Sequence, residues 1–470
     1  MASVGAVMNA ETCSWIWSPD ARLIRLREGA LAINYATSNT LVLTPDDAEH
    51  AASVSGLATE FHLPNALSDV AKASLIRGQF IIPSDRFDAI QSLVRERLAT
   101  ALQESYGFII MPTERCNFRC TYCYEAFERG RMSDENVAAL DAAIDRVAVT
   151  ASQFALGFFG GEPLACSDLV LHFSQRAFEA MASRGLPYAA SIATNGSLLS
   201  AELFEQLLDV GVVSYQITID GDRATHDRQR VSLGGRGTFD RIVRNVRSMA
   251  STDADFVCVI RCNLPADQRA RALDLFTGSE LAFVVDDSRF VVDVQTVWAS
   301  DRQTVGSYGV GCGVSMQQAL DYYVLNRQLS EHGVRTVTYD QASGILSQAC
   351  YAGKRNWFIV GPDLTLYKCT VVFDNERNRV GRIAPGGMIE VDAEKNRLWT
   401  GSNALTDAGC SGCHLRVPCG GIACPLSRIT NGIKGCLDVR DTGTLRRWAA
   451  ARPHPAPSAP VGEDAVEVSA

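Results

Sequence analysis

Six short apolar runs divide the middle of the chain into regular strand–helix units. Their hydrophobic residues are nearly continuous rather than alternating, which is typical of strands buried on both faces of a parallel sheet. Amphipathic segments with helical spacing lie between them, for instance at 133–149 and 201–210. The repeat predicts an α/β fold, an incomplete (β/α)6 barrel over residues 104–300, with chemistry at the carboxyl ends of its strands. The six runs are YGFIIMP (106–112), FALGFF (154–159), AASIAT (189–194), VVSYQITI (212–219), FVCVIRCN (256–263) and RFVVDVQTV (289–297).

Residues 1–100 have a different pattern, typical of a small α+β domain. LAINYAT (31–37) and NTLVLT (39–44) alternate like two paired strands. We expect helices at 45–52, 66–76 and 85–102 and a short strand at 80–82. This order predicts a module of winged-helix type.

Beyond residue 300 the periodicity fades. We expect residues 301–344 to be a bridging segment and residues 345–445 to be a separate cysteine-rich domain. Because long periodic helices vanish there, the second segment is expected to have too little apolar surface to fold without an inorganic core. Residues 446–470 are rich in Pro and Ala and predict a disordered tail.

Composition narrows the class of protein. A hydrophobic content of 47% excludes disorder as the main state. The chain has no apolar run long enough to span a membrane and no secretory signal. A net charge of −9 argues against general nucleic-acid binding, which needs a basic face. We therefore expect a cytoplasmic protein with neither nucleic-acid nor membrane partners.

Fifteen cysteines are many for a reducing compartment, where disulfides are rare and clustered thiols indicate metal or catalysis. Cys116, Cys120 and Cys123 have CxxxCxxC spacing in the loop after the first barrel strand. Three soft thiolates this close can hold an iron–sulfur cube and leave its fourth iron open. Zinc is the rival interpretation, although zinc sites favour paired CxxC knuckles that supply four ligands.

These cysteines, with motifs at the ends of later strands, resemble the radical S-adenosylmethionine (radical SAM) superfamily. The resemblance implies a 4Fe–4S cluster on Cys116, Cys120 and Cys123, with S-adenosylmethionine on the open iron. One-electron reduction would then release a 5′-deoxyadenosyl radical that abstracts a substrate hydrogen. Asp220, His226 and Asp227 match one signature of the family. The expected role of these residues is to orient the loop after the fourth barrel strand, and Asp220 is also an implied cofactor contact. The implied cofactor contacts are Tyr122 at adenine, Gly160, Gly161 and Glu162 of GGEP, Thr194 and Asn195, Thr218 at ribose, Asp220, and Arg230 at the carboxylate.

The C-terminal cysteines resemble the SPASM extension of peptide-modifying radical enzymes, which carries two auxiliary 4Fe–4S clusters. Three clusters in total are therefore implied. Four residues precede Cys424 where the family usually has three, and the glycine placement between Cys350 and Cys369 also differs. The first auxiliary cluster, on Cys350, Cys369 and Cys424, lacks an obvious fourth ligand, for which Cys312 and a substrate thiolate are the alternatives. Carried over from the family, one cluster uses Cys410, Cys413, Cys419 and Cys436, and the other Cys350, Cys369 and Cys424.

The SPASM family includes anaerobic sulfatase maturases and maturases of ribosomally made peptides. Sulfatase maturases place an aspartate base after the cysteine that matches Cys369, whereas this chain has Thr370, which is no base at neutral pH. Peptide maturases often carry a small N-terminal module that captures a leader as an added strand, here on LAINYAT or NTLVLT. A plain packing cap on the barrel is the other interpretation of this module.

We therefore predict a maturase that closes an intramolecular crosslink in a precursor peptide and takes electrons from a flavodoxin- or ferredoxin-like donor. A thioether is the first choice of bond, and a carbon–carbon or carbon–oxygen bond the second. The alternatives are sulfatase-type formylglycine formation and a non-catalytic iron–sulfur carrier or scaffold, which would need neither GGEP nor Arg230. No general base is identified, because a charged surface residue is the more common explanation for both Glu125 and Asp374.

Overall fold

The computed structural model describes residues 13–37, 39–186, 188–264, 270–278, 280–296, 324–325, 328–336, 349–432, 434 and 436. Cys312 and the predicted tail at 446–470 lie outside the described residues. The chain divides into two compact units. Of the described residues, the first comprises 13–93 and Gly412–Val417, and the second those of Val94–Ser411 together with those from Pro418 to Cys436.

Strands and helices alternate through most of the described chain. The strands are β1 Trp15–Trp17, β2 Ala21–Arg25, β3 Ala30–Asn34, β4 Thr40–Leu43, β5 Ile81–Pro83, β6 Tyr106–Ile110, β7 Phe118–Cys120, β8 Phe154–Phe158, β9 Ala190–Thr194, β10 Val212–Thr218, β11 Arg230–Ser232, β12 Val257–Leu264, β13 Phe290–Thr296, β14 Asn356–Val360, β15 Thr365–Tyr367, β16 Arg379–Ala384 and β17 Met388–Val391. The helices are α1 Pro45–Val54, α2 Asp69–Arg77, α3 Phe87–Ala99, α4 Asp134–Thr150, α5 Ser167–Ala182, α6 Ala201–Asp209, α7 Arg223–Gln229, α8 Phe239–Ala250, α9 Ala270–Thr277, α10 Ala282–Asp286, α11 Ala393–Thr400, α12 Ala408–Ser411, α13 Arg416–Cys419 and α14 Pro425–Asn431. Among these described helices, none is long and apolar enough to cross a membrane.

A ten-stranded sheet organises the second unit, in the order β13-β12-β10-β9-β8-β6-β14-β15-β16-β17. The first six strands in this order pair parallel to their neighbours. Every predicted barrel strand occurs within two residues of its predicted bounds, so the α/β class and the partial barrel are confirmed. Helices cover one face, where Leu140, Phe173, Phe204 and Ile242 are fully buried.

The cysteine-rich segment begins as a continuation of this sheet. β14 pairs parallel with β6 over five residues, from Asn356 opposite Tyr106 to Val360 opposite Ile110. Its side chains Phe358 and Val360 belong to the same apolar core as the barrel. The expectation that residues 345–445 have too little apolar surface is therefore wrong for this part, because β14 buries its residues against the barrel itself.

The first unit contains an antiparallel sheet in the order β2-β3-β4, and β1 pairs with β5. The predicted pairing of LAINYAT with NTLVLT is confirmed by β3 and β4. Strands β1 and β2 were not predicted. β3 is paired on both sides and every residue in it is buried. LAINYAT therefore offers no free edge, which corrects one of the two suggested docking strands. β4 pairs with β3 alone among the described strands.

Side-chain caps explain why several helices begin where they do. Thr44, Ser133 and Ser200 each accept a hydrogen bond from the backbone N–H three residues later, at the first turns of α1, α4 and α6. A hydroxyl at this position satisfies an N–H that the helix itself leaves without a partner. These starts match the predicted helices at 45, 133 and 201.

Candidate active site

The carboxyl end of β6 leads into the loop that carries Cys116, Cys120 and Cys123, here called the loop site. The Cys116 sulfur accepts a hydrogen bond from Phe118 N at 3.3 Å, and Cys123 accepts one from Glu125 N. Burial raises the pKa of Cys116 to about 12 and that of Cys123 to about 11. The bare thiols therefore stay protonated, and binding to a metal would release their protons.

The spacing of these thiols bears on which metal they suit. Among the described residues, no three His, Cys, Asp or Glu side chains converge closely enough to hold a single metal ion. A zinc ion needs its ligands within about 2.3 Å of one point, whereas cysteines around an iron–sulfur cube bind separate irons. Zinc and an iron–sulfur cube therefore require different arrangements of the three sulfurs.

A short antiparallel pairing sets Arg230 beside the loop site. β7 pairs with β11, so that Arg230 lies directly opposite Cys120. Its Nη1 donates to the Tyr122 hydroxyl at 2.6 Å and lies 3.7 Å from Asp220 Oδ2. The Tyr122 hydroxyl in turn donates to the carboxylate of Asp220, which is fully buried. Burial raises the pKa of Asp220, and the charge of Arg230 opposes that shift.

His226 supports the triad of Asp220, Tyr122 and Arg230 through hydrogen bonds to the backbone. Asp220 N donates to its Nδ1 at 3.2 Å, which leaves the ring hydrogen on Nε2. That Nε2 donates to Thr238 Oγ1 at 3.1 Å, and the Thr238 hydroxyl donates to Arg230 O at 3.1 Å. Burial lowers the pKa of His226 to about 3, with Arg230 adding to the shift, so the ring is neutral at physiological pH.

The glycines of GGEP are required by the approach of the cysteine loop. Gly161 N donates to Thr113 O at 3.3 Å, and a Cβ on Gly161 would lie 2.2 Å from Glu114 O. Gly160 has a φ of +122°, and its Cβ would meet Thr113 O at 2.5 Å. Any larger residue would therefore push the loop site away from the end of β8. This packing role adds to the cofactor contact that the resemblance implies.

The Glu162 carboxylate joins the ends of two strands. It is fully buried and accepts hydrogen bonds from Leu164 N at 3.0 Å, Thr194 Oγ1 at 2.6 Å and Asn195 N at 2.8 Å. Asn195 continues the connection, since its Nδ2 donates to Asn117 Oδ1 at 2.8 Å, next to Cys116. GGEP and TNG thus form one bonded support for the loop site.

A polar row continues from Thr218 onto the next strands, and its charged members were missed by sequence reasoning. Thr218, Arg261 and Asp293 stand side by side on β10, β12 and β13. Arg261 Nη1 lies 2.8 Å from Asp293 Oδ2, and Gln295 donates to the other oxygen of Asp293 at 2.7 Å. Asn263 connects the row to the triad, because its N–H donates to Asp220 Oδ1 at 2.8 Å. The available signal was a charged residue inside each of two otherwise apolar runs.

Three buried polar atoms near the loop site have no partner among the described residues: Glu125 Oε1, Gln229 Oε1 and Arg230 Nε. A buried unpartnered guanidinium nitrogen is costly unless an anion is bound there. The carboxylate of S-adenosylmethionine would satisfy it, so the residues present fit this cofactor. Burial also raises the pKa of Glu125 to about 8, and Glu114 adds to the rise.

Residues 110–267 match the family profile described as Radical SAM superfamily. The chain carries a radical SAM domain. The match covers the loop site, GGEP, TNG and Arg230, and it supports S-adenosylmethionine and one 4Fe–4S cluster as the cofactors of this domain. The assignment of individual contacts to Tyr122, Thr218 and the other residues stays a prediction.

Known proteins resemble this radical SAM domain and parts of its flanks. The Fe-coproporphyrin III synthase of Methanosarcina barkeri is 33% identical over 141 residues, which are 29% of this chain and 32% of that protein. The serine-type anaerobic sulfatase-maturating enzyme of Klebsiella aerogenes is 22% identical over 323 residues, 66% of this chain and 77% of that protein. The structure of anSMEcpe with bound AdoMet and Kp18Cys peptide aligns with a TM-score of 0.52 at 18% identity, over 74% of this chain and 98% of that chain. The chain spans only about a third of the length of the first curated relatives it matches.

After the radical SAM domain, Cys350, Cys369 and Cys424 form a group called the inner site. Burial raises the pKa of the Cys369 thiol, and both Cys350 and Cys424 lie close enough to raise it further. The sulfurs of Cys350 and Cys369 accept hydrogen bonds from Ala352 N and Val371 N. This is the same two-residue turn that surrounds Cys116, and amide donors to sulfur are a feature of iron–sulfur sites.

Cys410, Cys419 and Cys436 form a second group, called the outer site. Burial raises the pKa of Cys419, whose sulfur accepts hydrogen bonds from Gly421 N and Ala423 N, with Cys410 and Cys436 also acting on it. Cys436 is exposed, in contrast to the inner site. The fourth predicted ligand, Cys413, belongs to the short segment of the first unit. The assignment of these cysteines to two clusters, and the presence of the clusters, stay predictions.

Proposed function

We propose that this chain is a radical SAM enzyme that closes an intramolecular crosslink, first of all a thioether, in a ribosomally made precursor peptide. The observation that carries the proposal is the position of two cysteine groups, the loop site and the inner site, at opposite ends of one strand pair. The loop site is suited to forming the substrate radical, and the inner site to accepting the electron released when the ring closes.

The strand pair is β6 with β14. The loop site follows the carboxyl end of β6, whereas Cys350 precedes β14 and Cys369 follows the returning strand β15. β14 is parallel to β6, and β15 is antiparallel to β14, so both cysteines come at the opposite end of the pair. Five residues at about 3.3 Å each separate the two ends by roughly 15 Å. A peptide between them would face a radical source at one end and an electron acceptor at the other.

The bond formation balances with these two sites. When bound, the cofactors of the radical SAM domain would supply a 5′-deoxyadenosyl radical that removes one hydrogen atom from a substrate C–H. Closure of the carbon onto a cysteine thiol then releases the thiol proton and one electron. The electron needs an acceptor, and we assign that task to auxiliary clusters at the inner and outer sites, with a flavodoxin- or ferredoxin-like donor supplying the first electron.

Arg261 and Asp293 lie on β12 and β13, at the opposite side of β6 from β14 in the sheet, while Met111, Ile359 and Tyr367 form a small buried apolar cluster beside β6. For the leader, β4 is the remaining docking edge in the first unit, by strand addition.

The test is anaerobic co-expression with a short cysteine-containing peptide encoded beside this gene, followed by peptide mass and 5′-deoxyadenosine analysis. We expect a loss of two hydrogens with a blocked thiol. A loss of two hydrogens with the thiol still free would point to a carbon–carbon or carbon–oxygen bond. An unchanged peptide with continued 5′-deoxyadenosine release would contradict the substrate class. Cys13→Ala, outside every cysteine group, is the matched control.

Sulfatase maturation is the second candidate, favoured by the 323-residue match to the Klebsiella aerogenes enzyme. Thr370 argues against it, since its hydroxyl is buried against the Tyr351 hydroxyl at 3.1 Å and neither group is a base at neutral pH. Conversion of a sulfatase-derived peptide to an aldehyde product would favour this candidate. A purely structural iron–sulfur scaffold would release no 5′-deoxyadenosine at all.

A further inference from the structure

Lys368 is a fully buried lysine next to the inner site. Its exposed fraction is 0%, and its neighbour in the chain is Cys369. Nζ donates to Lys354 O at 2.6 Å and to Trp357 O at 2.8 Å, and it lies 4.9 Å from the centre of the Phe358 ring. All of its contacts are therefore acceptors for an ammonium group.

Lys368 has no carboxylate partner among the described residues. Burial lowers the pKa of its amine to about 7, and Cys350 is the one acidic group that opposes this shift. A cation removed from water without a counter-charge is strongly unfavourable, which is why buried charges are paired or bound to metal centres. Thiolates of the inner site, once they hold a cluster, would supply the negative charge that keeps Lys368 protonated.

We infer that Lys368 is the fixed counter-charge of an iron–sulfur cluster on Cys350, Cys369 and Cys424 and that it raises the reduction potential of this cluster. The inference rests on the proposed function for the presence of the cluster. Reduction adds negative charge, which a nearby buried cation stabilises, and net charge is among the main determinants of cluster potential. Lys368 thereby favours the inner cluster as the acceptor of the electron released on ring closure.

The outer site has a lysine in a contrasting setting. Lys434 Nζ lies 2.7 Å from the Cys410 sulfur, but also 3.3 Å from Asp407 Oδ2, and 18% of its side chain is exposed. Its charge is compensated by a carboxylate and screened by water. We therefore expect Lys434 to affect the outer cluster less than Lys368 affects the inner one.

The experiment is an anaerobic redox titration followed by electron paramagnetic resonance. It uses the reconstituted full chain with Cys116, Cys120 and Cys123 changed to Ala, so that only auxiliary clusters contribute. Lys368→Met removes the charge, Lys368→Gln removes it but keeps N–H donors for the two carbonyls, and Lys368→Arg keeps it. We expect Met and Gln to lower the one-electron reduction constant of one cluster about tenfold or more, about 59 mV, with the other cluster unchanged. Lys434→Met should shift the other cluster instead, and by less.

Each outcome decides the question. Unchanged potentials in Lys368→Met and Lys368→Gln, with iron content intact, would overturn the inference. Loss of one cluster in both neutral variants but not in Lys368→Arg would support it, whereas loss in all three would assign Lys368 a steric role and overturn it. Absence of auxiliary iron in the parent protein would instead refute the cluster part of the proposed function. An unmodified peptide with the expected potential shift would refute only the peptide reaction.

Discussion

The loop site and the inner site each bring three thiols together, yet their surroundings differ in kind. Around the loop site, charged groups from successive strand ends are bonded to one another, with Asp220, Tyr122 and Arg230 at the centre. Around the inner site, apolar side chains and backbone carbonyls enclose Lys368, and Lys354 is a second lysine close enough to act on Cys350. A site that binds a ligand with its own charges needs several adjustable polar partners. A site that holds only an anionic cluster needs cations and a dry shell.

The two sites also differ in the interactions that support them. The loop site depends on side-chain hydrogen bonds, such as those accepted by Glu162 and donated by Asn195. The inner site depends on strand pairing, because β14 and β15 between Cys350 and Cys369 belong to the central sheet. Loss of one polar side chain should therefore harm cofactor binding at the loop site more than the fold, and the following experiments test this division of roles.

The largest effect should come from replacing a predicted cluster ligand at one site at a time. Cys120→Ala should abolish 5′-deoxyadenosine formation, a loss greater than the roughly 10- to 100-fold typical when a hydrogen-bond partner of a metal ligand is removed. Cys369→Ala should leave that product measurable while the crosslinked peptide disappears. Chromatography with mass detection of both products distinguishes the two. Equal loss of both products in both variants would mean that the sites do not act as separate halves.

The next effect concerns affinity for S-adenosylmethionine. Arg230→Met removes the guanidinium whose Nε is buried without a partner, and we expect about 10- to 100-fold weaker binding, as for loss of a charge-assisted pair. Tyr122→Phe keeps Arg230 and should cost less than tenfold. Arg228→Met, an exposed arginine two residues away, is the matched control. Equilibrium binding to the reconstituted protein measures all three, and equal affinity for Arg230→Met and Arg228→Met would refute the role of Arg230.

A smaller effect is expected from the polar row of β12 and β13. Side-chain exposures of only 12% and 6% make Arg261 and Asp293 a buried pair, so Arg261→Met should destabilise the fold by about 3 kcal/mol. The double variant Arg261→Met/Asp293→Leu should recover most of this in thermal unfolding. If the row serves the substrate, peptide modification stays impaired in the double variant. Full recovery of both properties would reduce the pair to a structural role.

The smallest effect is a pH dependence carried by His226. Its pKa is about 3 in the folded protein against about 6.5 when unfolded, so the unfolded state binds the extra proton below pH 6.5. The stability that neutral His226 contributes is complete above pH 6.5 and is lost as pH falls toward 3. Near pH 5.5 the loss should be about 1.4 kcal/mol. Thermal midpoints from pH 7.5 to 5.0 should show a flatter profile for His226→Gln than for the exposed control His332→Gln.

Much of this architecture was predictable from local sequence. The six barrel strands appeared as nearly continuous apolar runs, because strands buried on both faces tolerate few polar residues. The caps Thr44, Ser133 and Ser200 marked helix starts for an equally local reason. The CxxxCxxC spacing, GGEP and TNG predicted the radical SAM domain because a loop that wraps one cluster must carry its ligands close together in the chain.

Other features were decided only by tertiary structure. Nothing in the local pattern of NWFIV indicates that β14 pairs with β6 more than 240 residues earlier, since any exposed parallel edge offers the same backbone groups. The same holds for Arg230 opposite Cys120 and for the row from Thr218 to Asp293, which require register between strands. Lysine is a residue type that usually lies at the surface. Only the packing of β14 and β15 around Lys368 buries its side chain. Local periodicity determines whether a segment forms a strand or a helix, whereas long-range pairing determines which charged side chains are buried together.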